Sequence, residues 1–176
     1  FETPSALWLL DEDPASEGKV TDEIGGVEGT CTTCPDPVDP GKIGNAVAFD
    51  GTDGDLVIDG SGDDVFDFAA GASFSIEMWI KRADTISGLE AAIGRFEAGR
   101  VAWYVGLNAN GNATAEFWDE NGAPVESNQF SGYTDLANGR WHHVVVVRDG
   151  VNETMKIYVD GALEAGADQS GATNTS

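Results

Sequence analysis

From Trp141 to Gly161 the chain reads WHHVVVVRDGVNETMKIYVDG, and this stretch restricts the fold more than any other. His142 to Arg148 is rich in valine, and branching at Cβ favours an extended backbone. Asp149 to Glu153 brings turn chemistry: glycine tolerates positive φ, and Asp and Asn bond to nearby backbone. Met155, Ile157 and Val159 then alternate with Lys156, Tyr158 and Asp160. A period of two sends one set into a core and the other towards water. Asp160-Gly161 is a second turn signal, and Ala162-Leu163-Glu164 is placed to start a further strand.

The rest of the chain reads in the same way. Short apolar strands are expected at Ala6–Leu10, Ala46–Phe49 and Leu56–Ile58, and residues 14–45 read mostly as loop. Asp59 to Ala72 is rich in glycine and aspartate, with room for a helical turn and with Val65, Phe66 and Phe68 as anchors to the core. In FSIEMWIK, Phe74, Ile76, Met78 and Ile80 share one face; Ser75, Glu77, Trp79 and Lys81 share the other. Further strands are expected at Ala91–Phe96, Val101–Leu107, Thr114–Asp119 and Gln129–Tyr133, separated by Asn-Gly and Gly-rich turns. No segment keeps a helical period over two turns. The expected fold is all-β, a two-sheet antiparallel sandwich or jelly roll, with residues 1–176 as a single domain.

Composition narrows the function. A length of 176 residues supports one domain with a substantial core, and 41% hydrophobic residues exclude a disordered acidic tail. No apolar run reaches the length of a membrane span, and Phe1 opens no signal-peptide pattern, as in a mature protein or an excised domain. The net charge of −22 repels nucleic acid and anionic lipid, so neither nucleic-acid binding nor membrane insertion is expected. Most of the 31 carboxylates read as a solvated surface, and a few as ligands for Ca²⁺, which prefers hard oxygen donors. Cys31 and Cys34 form a CxxC, which serves as half a zinc site, a redox motif or a short-loop disulfide. With no other cysteine and a Pro/Gly-rich setting, the disulfide is favoured, and with it an oxidising, extracellular location.

Three blocks then resemble a known family. GNAVAFDG (44–51), FSIEMWIKRAD (74–84) and WHHVVVVRDG followed by MKIYVDG (141–161) resemble, in order and rough spacing, the hallmark segments of LamG-like (laminin G type) concanavalin A-like jelly rolls. Trp8 followed by Asp11 and Glu12 fits that family's usual start. The resemblance implies a module of a larger secreted or cell-surface protein, binding a glycan or an extracellular protein, often with calcium. The family usually continues past the VDG turn to two more strands, whereas this sequence runs out at Ser176. The resemblance therefore implies missing C-terminal closing strands and an open sheet edge. That edge would be explained by a fragment, or by homo-assembly in which another chain donates a strand.

Candidate chemistry follows from residue type and spacing. There is no GxSxG nucleophile motif and no ExDxxE pair of the glycosidase kind; Glu116 and Glu120 flank Trp118 on one face while Asp119 points to the other. His142 and His143 are neighbours on a strand, face opposite ways, and so read as structural rather than as a metal pair. The calcium candidates are Asp50, Asp53 and Asp55 in a glycine-rich turn, joined by Asp11 and Glu12 if the first strand ends at the same rim; the alternative is a solvated acidic turn. Glu77, Trp79, Tyr104, Glu116 and Trp118 lie opposite the presumed core faces of their strands. They are the candidate glycan-binding residues, since sugar C–H faces stack on rings; the alternative is a second packing layer under loops. Asn112, Asn152 and Asn174 match the N-glycosylation acceptor. The expected function is non-catalytic extracellular binding or cell adhesion, with calcium and carbohydrate recognition. A structural filament or surface-layer module is the alternative, and a glycosidase-like enzyme comes third.

Overall fold

A buried carboxylate, not a long strand, organises the first third of the chain. The computed structural model describes residues 3–58, 66, 68, 72–83, 86, 88–97, 100–117, 129–152 and 154–168. The chain divides into two compact units, Phe1–Phe66 and Asp67–Ser176. In the first, Asp22 is 3% exposed. Its Oδ1 accepts from the Leu7 N–H (2.8 Å) and the Ile24 N–H (3.0 Å); its Oδ2 accepts from Gly25 (2.9 Å) and Val27 (3.4 Å). Trp8 Nε1 donates to the Val27 carbonyl, and the Trp8 ring stacks on Phe66 with centroids 5.8 Å apart.

This arrangement corrects the strand expected over Ala6–Leu10. Only a single bridge forms there, between Trp8 and Asp22. The Leu7 amide is spent on a carboxylate, and Leu10 takes a left-handed φ of 59°, which ends the extended run. The loop expected over 14–45 contains one helical turn, α1 (Pro14–Glu17), capped by Asp13, opened by proline and closed by Gly18. It also holds β1 (Lys19–Val20), β2 (Gly29–Thr30) and β3 (Asp36–Val38), and Cys31 and Cys34 are joined as a disulfide. β4 (Ala46–Ala48) pairs with β3, and β5 (Val57–Ile58) completes a small sheet in the order β1-β2-β5.

The second unit is the sandwich. Its strands are β6 (Phe74–Lys81), β7 (Glu90–Glu97), β8 (Arg100–Leu107), β9 (Asn112–Phe117), β10 (Phe130–Asp135), β11 (Trp141–Asp149), β12 (Thr154–Val159) and β13 (Ala162–Asp168). They form two antiparallel four-stranded sheets, β10-β9-β8-β7 and β13-β12-β11-β6. The inner face of the second carries Val144, Val146, Met155, Ile157 and Val159, all buried. Against it the first sets Trp103, Val105, Leu107, Ala113, Ala115 and Phe117. Phe74 joins the layers, with its ring 5.3 Å from Phe117 and 3.8 Å from Phe68. Each aliphatic side chain buried in this way contributes about 1.5–3 kcal/mol.

The turns forecast by the sequence set the register. Asp160 and Gly161 both take positive φ, 50° and 83°, as a two-residue type I′ turn demands, and Val159 pairs with Ala162 across it. At Gly106 a Cβ would fall 2.0 Å from the Glu90 carbonyl oxygen, so only glycine lets β7 and β8 approach there. Beyond the Asp160-Gly161 turn, β13 covers the free side of β12. The far side of β13 lies along β10, where Glu164 Oε2 accepts from the backbone N–H of Tyr133 (3.0 Å) and of Thr134 (3.1 Å). Thr134 Oγ1 donates to the other carboxylate oxygen. Among the described residues no helix is long and apolar enough to cross a membrane.

Candidate functional site

Strand parity and register build one open face. Residues 75, 77, 79 and 81 of β6 point away from the sandwich core, as do 141, 143, 145 and 147 of β11. Register then sets Trp79 beside His143, Lys81 beside Trp141, and Glu77 beside Val145. Val145 in turn neighbours Tyr158 of β12, and Tyr158 neighbours Leu163 of β13. Trp79 is 39% exposed, and its ring lies 4.9 Å from the His143 ring, tilted by 32°. Glu77 Oε2 sits 3.7 Å from His143 Nε2, with most of its side chain in solvent. The Lys81 ammonium stands 6.0 Å over the Trp141 ring, within cation–π range. This is a flat array of rings edged by hydrogen-bonding groups.

A second cluster forms on the other sheet. Tyr104 and Glu116 are register partners on β8 and β9, and Gln129 Nε2 donates to the Tyr104 hydroxyl at 2.7 Å. Burial, then the hydrogen bond and charge of Glu116, push the Tyr104 phenol up to about 12. Tyr104 is 3% exposed, so its ring offers no open face for stacking. The sequence-derived set thus separates into two: Glu77 and Trp79 come together on one sheet, Tyr104 and Glu116 on the other. Each pair faces away from the shared core, so the four do not line one groove. Trp118 lies outside the described residues.

The two histidines face opposite ways. His142 is buried, with Nδ1 2.8 Å from Asp160 Oδ2 and Nε2 3.1 Å from Asn138 Oδ1. Asp160 Oδ1 accepts from the His143 N–H at 2.9 Å. That backbone bond and the His142 ring hold the Asp160 carboxyl below its ordinary range, against the opposing effect of burial. His142 therefore ties the β12–β13 turn to β11. The part of His143 in the open face was not legible from local sequence; its contact with Trp79 depends on the β6–β11 register.

The acidic turn is occupied by its own backbone. Asp50 Oδ1 accepts from the N–H groups of Thr52 (2.8 Å) and Asp53 (3.3 Å), which lower its pKa. Asp53 and Asp55 are exposed. Asp11 Oδ1 accepts from the Asn45 N–H at 2.7 Å, and Glu12 Oε1 from the Thr21 N–H at 2.9 Å. Among the described residues no three His, Cys, Asp or Glu side chains converge as metal ligands do. In these turns the described carboxylates serve as acceptors for loop amides. Among the described residues one atom stands apart: Glu12 Oε2 is buried with no hydrogen-bond partner. Of the glycosylation acceptors, Asn152 is exposed in the β11–β12 turn, Asn112 is half-buried at the start of β9, and Asn174 lies outside the described residues.

Fold and register together define a two-sheet antiparallel sandwich of the lectin type. The model of the concanavalin A-like lectin/glucanases superfamily, laminin G type, matches residues 50–176, and the chain belongs to this superfamily. Among solved structures, domain 4 of AbnA, a GH43 extracellular arabinanase from Geobacillus stearothermophilus in complex with arabinotriose, is 18% identical with a TM-score of 0.58. That alignment covers 93% of this chain and 76% of the other. The CBM40 of the Ruminococcus gnavus IT-sialidase, bound to α2,3-sialyllactose, is 15% identical with a TM-score of 0.48. It aligns over 62% of this chain, which spans only 57% of the sialidase module's chain. Identities this low make the likeness one of fold. No curated protein matches the chain in sequence.

Proposed function

We propose that the chain is a non-catalytic, extracellular glycan-binding module whose ligand lies on the outer face of β6, β11, β12 and β13. The observation that carries this reading is Trp79, 39% exposed on the outer face of β6, with its ring set against His143. A large ring held by register in an ordered sheet has little side-chain freedom left to lose, so stacking a sugar on it costs little ordering entropy. Glu77 and His143 stand beside it to bond hydroxyl groups. The Cys31–Cys34 disulfide supports an oxidising compartment. The sequence holds no paired-carboxylate motif, which supports a binding role over hydrolysis.

The test is a glycan screen with the whole chain, starting from arabinotriose because the Geobacillus domain of like fold was solved with it. Replacing Trp79 by Ala removes a central anchor, with an expected cost of about 2 kcal/mol, roughly thirtyfold in Kd. Binding that survives Trp79→Ala unchanged places the ligand elsewhere. No glycan binding at all, with self-association in its place, favours a structural assembly module.

Calcium is a second reading, and one atom favours it. A cation would satisfy the buried, unpartnered Oε2 of Glu12. Thermal melting with and without EDTA decides this: an unchanged Tm, with no metal found by elemental analysis, removes calcium.

A further inference from the structure

Resting on the glycan reading, we infer that this face takes an internal segment of a neutral polysaccharide chain, rather than a chain end or an acidic sugar. Among the described residues the geometry is a platform, not a pocket. Four strands at about 4.8 Å spacing give it a width of roughly 14 Å. Trp141 and His143 on β11, Trp79 on β6 and Tyr158 on β12 present rings on the same side. The next row along the sheet is Ser75, Val147 and Lys156, and the far edge carries Leu163, itself 53% exposed. Among the described residues of these four strands, no side chain in these rows is large enough to enclose a single terminal sugar. Pockets for small ligands gain affinity by burying most of the ligand surface. A flat face gains it by adding contacts along the ligand, so several sugar units must touch it at once.

Charge selects the neutral class. The net charge of −22 opposes the approach of any polyanion. Glu77 projects into solvent next to Trp79, where a sugar carboxylate would meet it directly. Lys81 is drawn over the Trp141 ring, and Lys156 sits two rows away beside Val147, so neither stands against Trp79. Alternating C–H faces and hydroxyls of a neutral chain match the alternation of rings with Glu77, Ser75 and the two lysines.

The experiment is calorimetric titration of the whole chain with arabinan, xylan, mannan and β-1,3-glucan. Their hexasaccharides, trisaccharides and monosaccharides follow, with polygalacturonate and sialyllactose as acidic probes. We expect at least one neutral polymer to bind, with hexasaccharide affinity about tenfold or more above that of the monosaccharide, and no binding of the acidic probes. Trp79→Ala lowers hexasaccharide affinity roughly thirtyfold and Tyr158→Ala roughly tenfold. Glu77→Gln, which leaves every ring in place, admits the acidic probes or weakens the neutral ones. Equal affinity for monosaccharide and hexasaccharide, or tighter binding of an acidic probe, overturns this inference and leaves the glycan reading standing. No binding of any glycan overturns both. Trp79-dependent self-association in sedimentation without glycan binding assigns the face to a second copy of the chain and also overturns both.

Discussion

Replacing Asp22 by asparagine is the sharpest test of how the first unit is held. The carboxylate accepts four backbone N–H groups, three of them at 2.8–3.0 Å and one at 3.4 Å. Asparagine keeps one oxygen and so serves two of those donors at most. Its NH₂ group then faces the other two N–H groups, donor against donor. Hydrogen bonds to a charged group are worth about 1.5–3 kcal/mol each, and a donor left unsatisfied costs a further ~1–3 kcal/mol where water cannot reach it. Parts of this loop regain water on opening, so the expected loss is about 3 kcal/mol for Asp22→Asn and about 4 kcal/mol for Asp22→Ala. Burial pushes the Asp22 pKa up, and the N–H groups of Leu7, Ile24, Val27 and Gly25 outweigh it and hold the pKa below its ordinary range. The sign follows. The stabilisation is complete above the ordinary aspartate value of about 3.9 and is lost as pH falls through the depressed native value. Urea unfolding measures the loss, and hydrogen exchange localises it: the amides of Leu7, Ile24, Gly25 and Val27 should lose protection together. If Asp22→Asn unfolds within about 0.5 kcal/mol of wild type and those four amides stay protected, the carboxylate is not what holds this unit.

Three further outcomes are expected in the sandwich. Tyr104 should ionise only near 12, and its folding contribution is complete below the ordinary ~10 and is lost as pH rises from there through the raised native value of about 12. Glu116→Gln should bring its tyrosinate absorbance to lower pH, and an unmoved titration would mean that Glu116 is not its partner. Glu164→Ala frees the Tyr133 and Thr134 amides of β10, costing about 1–2 kcal/mol and raising aggregation in light scattering, since a bare sheet edge recruits other strands; unchanged melting and scattering would make the seam inert. His142→Ala removes a buried ring bonded to Asp160 and Asn138, with an expected loss of about 2–3 kcal/mol in urea, whereas the same change at exposed Val151 should cost almost nothing.

Alternation made the sandwich legible and left its assembly hidden. In β6, β11 and β12 the period of two predicts which side chains turn inward, because a strand offers only two sides. It cannot say which sheet a strand joins. Glu77 and Tyr104 both read as facing away from the core, yet they belong to different sheets. The pairing of Trp79 with His143 needed the register between β6 and β11, separated by more than sixty positions in the chain. In the first unit local pattern failed for another reason. ALWLL has the composition of a strand, but Leu7 and Leu9 are 38% and 51% exposed, and the segment is held by the Asp22 carboxylate. Nothing in TDEIGG distinguishes that aspartate from its solvated neighbours, because the amides that define it come from both sides of it in sequence.

The acidity itself has a structural part that composition alone hides. Asp11, Glu12, Asp22, Asp50, Asp135, Asp149, Asp160 and Glu164 each accept at least one backbone N–H from a turn or a strand edge. With so many short strands, few loop amides find a ladder partner, and a buried or half-buried amide must be paired with something. Short carboxylates supply that partner, which is why aspartate gathers beside glycine in this chain. The same residues in the same turns would also suit a cation, so DGTDGD cannot tell the two roles apart. The count of oxygens left over after the amides are served can. Asp50 has its Oδ1 engaged by two amides, while Glu12 keeps a buried Oε2 with no partner. If calcium binds this unit, Glu12→Gln should abolish the EDTA-sensitive part of the Tm while Asp50→Asn leaves that part intact. The reverse pattern would mean that the turn opens to take the ion and that its carboxylate–amide bonds are the state without metal.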